Sequence, residues 1–205
     1  MGTLFYVVGA SGVGKDSLLA YARARLNGKV DALFAHRYIT RPVDAGGENH
    51  VAVNRAEFTR MQSLGLFALH WESHGLQYGV GKEIDQWLNA GAHVVMNGSR
   101  AHLPATAVRY PDLCVVHIEA SPAVLRARLE QRARESVLEI EERVRRASQF
   151  TVQHPGTVVI SNNGSLPEAG ERLVALLRSP SSAFTSIHPS SRPECAVAAA
   201  AGPSL

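Results

Sequence analysis

The stretch from Gly9 to Ser17 constrains this chain more than any other. It reads Gly-Ala-Ser-Gly-Val-Gly-Lys-Asp-Ser. Before it stands an unbroken apolar run, Leu4 to Val8, and after it come apolar residues at Leu18, Leu19, Ala22 and Leu26. An apolar run without alternation reads as a strand buried on both faces, and the later spacing reads as a helix over Asp16 to Leu26. In a strand–glycine loop–helix unit, backbone N–H groups turn inward and the helix adds its positive dipole end, which together hold phosphate oxygens. The pattern predicts that Gly9, Ala10, Ser11, Gly12, Val13 and Gly14 cradle phosphates and that Lys15 reaches the β- and γ-phosphates. The expected ligand is ATP or a similar nucleotide, and the expected chemistry is transfer of its γ-phosphoryl group.

The rest of the chain repeats the strand–helix alternation. Further strands are expected at Phe34 to Thr40, His93 to Met96 (buried), Leu113 to Ile118 and Thr157 to Ile160. Helices are expected at Arg55 to Leu64, Lys82 to Asn89 and Leu166 to Leu177. A long arginine-rich helical stretch from Ala123 to Gln149 is expected to break near Arg134 to Ser136. Ser121-Pro122 suits a helix start, because serine caps free N–H groups and proline fits the first turn. This order predicts an α/β fold, a mostly parallel sheet flanked by helices. Ala68 to Tyr78 breaks the rhythm and reads as an antiparallel hairpin around His74-Gly75. Trp71 and Trp87 are most simply core. Residues 1–178 form the expected domain, and the Ser/Pro/Ala-rich stretch 179–205 reads as a disordered tail.

Composition excludes several classes. Hydrophobic residues make up 45% and charged residues 19%, and the net charge is only +3. That profile is globular and carries no clustered basic face for nucleic acid. No apolar run approaches the roughly 18 residues of a membrane span, and the N-terminus lacks a basic segment typical of a signal peptide. Two cysteines without metal or disulfide spacing point to a reducing compartment, so the cytoplasm is expected. Of 21 basic residues, 18 are arginine. This bias reflects either bidentate gripping of phosphate or a GC-rich genome.

One residue of the loop is unusual. Ser or Thr normally follows the lysine and its hydroxyl binds Mg²⁺. Here Asp16 stands there, with Ser17 next. No apolar strand ends in the aspartate that commonly supplies a second metal-holding acid; the run at 93–96 leads into Asn97-Gly98-Ser99. A carboxylate is a hard oxygen donor, so Asp16 and Ser17 are the expected metal residues, with Asp16 taking over part of the missing acid's work. The alternative is an exposed aspartate stabilised only by the helix dipole.

Around this loop, Thr40-Arg41-Pro42, Gly47-Glu48, Phe67, Glu72, His74-Gly75 and Tyr78-Gly79 resemble the monophosphate-binding segment of guanylate kinases, and the resemblance covers residues 3–178. The chain is more similar still to ribose 1,5-bisphosphate phosphokinases. That likeness is carried by Gly14-Lys15-Asp16-Ser17-Leu18-Leu19, Glu48-Asn49-His50, Tyr78-Gly79-Val80-Gly81, Glu83-Ile84-Asp85, Asn97 to Pro104 and Asn162-Asn163-Gly164-Ser165-Leu166. Several guanylate-kinase features are missing. Val43 and Asp44 stand near the place of a second arginine, His50 replaces a tyrosine, and Val80 replaces a base-recognising hydroxyl. Glu72 still matches the guanine-binding glutamate. A site that has lost base-recognising groups should reject GMP.

The resemblance implies phosphorylation of ribose 1,5-bisphosphate by ATP with Mg²⁺, giving 5-phosphoribosyl 1-diphosphate and ADP in alkylphosphonate breakdown. It implies a P-loop kinase with a substrate-binding insert at about 36–90 and an arginine-rich lid at about 130–146. Lys15, Asp16, Arg132 and Arg143 are the implied catalytic residues, with Arg132 and Arg134 closing over ATP. Arg41, Glu48, His50, Glu72, Tyr78, Ser99, Arg100 and Arg146 are the implied substrate residues. The implied partner is a small molecule, and a homodimer is left open. Two alternatives stand: a guanylate kinase or other small-metabolite kinase, and an inactive guanylate-kinase-like binding module. The intact Gly14-Lys15 argues against the second.

Overall fold

The computed structural model describes residues 1–28, 31–42, 50–132, 136–149 and 152–179, the side chain of Arg132 excepted. The expected 180–205 part of the tail lies outside them. The elements run β1 (Leu4–Val8), α1 (Lys15–Leu26), β2 (Ala32–Phe34), β3 (Tyr38–Ile39), β4 (Val51–Ala52) and α2 (Arg55–Ser63). Next come β5 (Phe67–Ser73), β6 (Leu76–Gly81), α3 (Glu83–Asn89), β7 (His93–Asn97), α4 (Leu103–Arg109) and β8 (Cys114–Glu119). The chain continues through α5 (Pro122–Arg132), α6 (Val137–Gln149), β9 (Val158–Ser161) and α7 (Leu166–Arg178).

Five strands form one parallel sheet in the order β2-β7-β1-β8-β9. The central strand β1 shows why its sequence is apolar without alternation. Phe5 and Val7 enter a core with Leu18 of α1 and Leu173 of α7, while Leu4, Tyr6 and Val8 enter a second core with Ile84 and Leu88 of α3. Both faces are dry, and each fully buried large apolar side chain contributes about 1.5–3 kcal/mol. Trp87 packs against the second core as expected.

The insert forms its own four-stranded sheet, β4-β3-β6-β5, built on the β5–β6 hairpin. Here the structure corrects one expectation. Phe34 to Thr40 is not one strand. Ala35 still donates its N–H to Val95 O beside β2, but Tyr38 and Ile39 pair with Gly79 and Tyr78 instead. The chain changes sheets at His36-Arg37, which carries it from the parallel sheet to the insert. The short helix α4 was also not expected: Pro104 lies in its first turn and its small residues give little periodic contrast.

Burial lowers the pKa of His36, His93, His102 and His117. Thr3 N–H donates to Nδ1 of His93 at 3.0 Å, a contact that the protonated ring cannot accept. A folded pKa below the unfolded one means that the unfolded chain binds more protons between the two values, so stability rises with pH there. The melting temperature is therefore expected to be level between about pH 7 and 8 and to fall as pH drops below the ordinary histidine value of about 6.5. His93→Gln should flatten part of that slope in a thermal melt series; an identical slope would remove His93 from the explanation.

Candidate active site

The loop between β1 and α1 is held from behind. Gly14 caps α1 with φ 92°, and a Cβ there would lie 2.6 Å from Nδ2 of Asn162. That buried amide donates to Val13 O at 2.7 Å, and Arg128 of α5 donates to the same carbonyl at 3.2 Å. In a trans peptide the following N–H points opposite to the carbonyl, so pinning Val13 O outward turns the Gly14 N–H inward. Lys15 Nζ spans the loop, donating to Gly9 O at 2.9 Å and Ala10 O at 3.1 Å.

A cavity of about 570 Å³ opens in front of this loop. The loop, Lys15, Asp16 and Ser17 form one wall, and Asn97 to Ala101 after β7 form another. Arg37 and Arg41 reach it from either side of β3, Trp71 and Tyr78 from the hairpin, and Arg143 and Arg146 from α6. Among the described lining residues, Lys15 and five arginines (37, 41, 100, 143 and 146) face a single carboxylate, Asp16. Such a cavity suits highly anionic ligands.

Asp16 is held as well as exposed to the cavity. Asn97, 8% exposed at the end of β7, donates from Nδ2 to Asp16 Oδ1 at 2.8 Å. Strand β7 is the neighbour of β1, with Asn97 opposite Val7. The strand-end position that lacks an acid therefore supplies a carboxamide, which orients the carboxylate on the helix. Two other contacts fix the walls. Arg143 Nη1 donates to Ser11 Oγ at 3.2 Å, tying α6 to the loop. The Tyr6 hydroxyl donates to Ser99 O at 3.0 Å and accepts from Ser99 N–H at 2.9 Å. A Cβ on Gly98 would lie 2.4 Å from the Tyr6 ring, so only glycine lets this loop rest there and present Ser99 and Arg100. Burial lowers the pKa of Arg100, whose guanidinium nonetheless remains charged near neutral pH.

Two expected substrate residues do not lie on the cavity wall. His50 is buried behind Arg41. Its Nε2 lies 3.2 Å from Arg41 O and its Nδ1 lies 3.4 Å from Arg41 Nη2. A carbonyl only accepts, so Nε2 carries the proton and Nδ1 accepts from the guanidinium. His50 thus clamps Arg41, whose buried Nε has no acceptor among the described residues. Glu72 is exposed on the opposite face of β5 from Trp71 and Ser73, as strand alternation requires. Trp71, expected as core, packs on the core with one part and lines the cavity with another.

With this geometry in place, likeness to known proteins becomes informative. No family model matches the chain. It is 54% identical over 176 residues to the ribose 1,5-bisphosphate phosphokinase PhnN of Thiobacillus denitrificans, covering 86% of this chain and 93% of that one. It is 55% identical over 177 residues to the protein of the same name from Chromobacterium violaceum, covering 86% and 94%. The chain belongs to the ribose 1,5-bisphosphate phosphokinase family. Among solved structures, a guanylate kinase from Anaplasma phagocytophilum superposes with a TM-score of 0.61 at 18% identity, covering 87% of this chain and 86% of that one. That likeness establishes the guanylate-kinase-like fold.

For this phosphokinase family member, the expected residues Glu48 and Arg134, and the side chain of Arg132, lie outside the described residues. So do Val43 and Asp44. Among the described residues no helix is long and apolar enough to cross a membrane. Several residues that hold the site are not assigned a role by the sequence: Asn97, Arg128 and Asn162, and also Tyr6 and Arg37. Tyr6 sits in an apolar run and reads only as core; its hydroxyl was the one available signal. Arg37 sits within the 34–40 stretch that reads as one strand, and the signal for it is a charge inside that stretch.

Proposed function

We infer that this kinase transfers the γ-phosphoryl group of ATP to the 1-phosphate of ribose 1,5-bisphosphate, giving 5-phosphoribosyl 1-diphosphate and ADP. The observation that carries this reading is the cavity with six basic side chains and one carboxylate in front of the phosphate loop. Family membership supplies the acceptor. An oxygen of the 1-phosphate attacks the γ-phosphorus. The bond from γ-phosphorus to the bridging oxygen breaks, and its electron pair leaves with ADP. A phosphate monoester is largely dianionic near neutral pH, its second pKa being about 6, so the acceptor needs no general base.

The protein's work is positioning and charge neutralisation. The loop N–H groups and Lys15 hold the β- and γ-phosphates. Arg143, tied to Ser11, and Arg146 meet the transferring group from α6, and the family resemblance assigns Arg132 and Arg134 to closing over ATP. Arg41, fixed by His50, and Arg100 meet the acceptor, with Tyr78 and Ser99 beside them. A further cavity behind the loop, lined by Arg128, Gln131 and Asn162, suits the nucleoside end of ATP. Mg²⁺ fits this donor set, because it takes one or two carboxylates together with substrate phosphates and water. Asp16 and Ser17 would hold it, and it would neutralise charge on the transferring phosphates. We place the reaction in the cytoplasm, which supplies ATP and keeps thiols such as buried Cys114 reduced.

The test supplies ATP and Mg²⁺ with either ribose 1,5-bisphosphate or GMP and follows ADP release, with ³¹P NMR to detect the new diphosphate. Turnover of the bisphosphate alone is expected. Turnover of GMP alone overturns the acceptor, and turnover of neither favours a binding module.

A further inference from the structure

Arg37 stands where the chain passes from one sheet to the other, two residues beyond the Ala35–Val95 hydrogen bond and one before β3. Its guanidinium carbon lies 5.1 Å from the centre of the Tyr78 ring and 6.0 Å from that of Trp71. Those two residues face each other across the β5–β6 hairpin, with ring centres 5.5 Å apart and planes 4° from parallel. His102 stacks on Trp71 in turn, 5.2 Å away. The result is an aromatic shelf with a guanidinium laid over it, facing the same cavity as the phosphate loop. Burial lowers the Arg37 pKa to about 10, with Tyr78 and Asp16 opposing the shift. The group therefore stays a cation at neutral pH, but a poorly solvated one.

Arg41 faces the same cavity from four residues further on. The short strand β3 and the bend at Thr40 lie between Arg37 and Arg41, and both side chains line the cavity from either side of β3. They still repel each other, and an acceptor with a phosphate at each end of a small sugar relieves that repulsion. The two phosphates have different needs. The reacting one must move toward the γ-phosphorus as the bond forms. The other needs an anchor that stays still, and a guanidinium fixed on two rings is preorganised for that.

We propose that Arg37, laid on Trp71 and Tyr78, binds the non-reacting 5-phosphate of the acceptor and so makes the site select a bisphosphate. This rests on the acceptor assigned above. A planar base seeking the same shelf would have to displace a cation from it. A sugar phosphate uses that cation instead.

The test compares two truncated acceptors, ribose 5-phosphate and ribose 1-phosphate, by calorimetry in the presence of a non-hydrolysable ATP analogue and Mg²⁺. Arg37→Gln is expected to weaken ribose 5-phosphate about 10- to 100-fold, the range of a charge-assisted hydrogen bond. Ribose 1-phosphate and the ATP analogue should bind as to the unaltered protein, which also reports an intact fold. Arg37→Lys should lie nearer to Arg37→Gln than to the starting protein, because an ammonium lacks the planar fork and the stack. Equal loss of both sugar phosphates, or loss confined to ribose 1-phosphate, overturns the proposal while leaving the reaction in place. Failure of the unaltered protein to turn over ribose 1,5-bisphosphate overturns the reaction, and the proposal with it.

Discussion

Lys15→Met is expected to lower kcat about 10²- to 10³-fold, the loss typical of removing one preorganised donor to developing charge. The side chain already spans the loop, donating to Gly9 O and Ala10 O, so little reorganisation separates it from the phosphates. Methionine keeps most of the length and loses the charge. The effect on stability should be small, because two opposing effects partly cancel: the variant loses the two hydrogen bonds to loop carbonyls and also a like charge. Lys15 shares its cavity with five arginines and one carboxylate, so the relieved repulsion offsets the lost hydrogen bonds, and the melting temperature should change by only a few degrees. Steady-state kinetics and a thermal melt check both halves. A raised KM for ATP with unchanged kcat would mean that Lys15 binds ground state and transition state alike, and has no special part in transfer.

The phosphate loop was legible because its requirements are local. A buried strand, a glycine-rich turn and a helix start occupy one short stretch, and Gly14 shows the reason in its positive φ and the amide packed against it. The inner strands β1, β7 and β8 were legible for the same reason, since each is a largely buried apolar run, whereas the edge strands β2 and β9 are half exposed. What stayed hidden depends on contacts between distant residues. The pairing of Tyr38 and Ile39 with β6 splits an apolar stretch between two sheets, and nothing in residues 34–40 records the partner. His50 reads like a ligand and turns out to clamp Arg41. Glu72 reads like a ligand too, but the register of β5 puts it outside. Arg37 gains its meaning only when two rings from the hairpin lie beneath it.

The arginine excess reads differently once the structure is known. Some of it is ordinary surface pairing: Arg145 pairs with Glu142, and Arg126 with Glu141. Exposed pairs of this kind contribute at most about 1 kcal/mol each. Others converge. Residues from the β3 flanks, the loop after β7 and α6 bring guanidinium groups to one cavity from separate walls. Two polyanions must meet there, and their mutual repulsion is what the arginines offset. On this view Asp16 is the exception that needs explaining, because a carboxylate beside a triphosphate is unfavourable on its own.

Asp16→Asn should have opposite effects with and without the metal. In EDTA the variant is expected to bind ATP several-fold more tightly, because a negative charge has left the phosphate site. With Mg²⁺ the half-saturating metal concentration for turnover should rise about 10-fold or more, equivalent to about 1.4 kcal/mol or more, as a charged oxygen ligand is lost. Asn97 makes the arrangement testable in a second way. Its amide donates to Asp16 at 2.8 Å from the strand end. Asn97→Asp alone places two carboxylates at that distance, and one must take up a proton. Combined with Asp16→Ser, the same change moves the acid to the strand and a hydroxyl to the helix, the commoner order. The double variant should recover part of the Mg²⁺ sensitivity that Asp16→Ser loses. Calorimetric ATP titrations with and without metal, beside magnesium titrations of activity, measure all of these. If Mg²⁺ curves are unchanged in Asp16→Ser and ATP binding in EDTA is no tighter in Asp16→Asn, Asp16 serves only the helix dipole. A crossing of the two effects identifies it as the carboxylate that makes the metal necessary and then holds it.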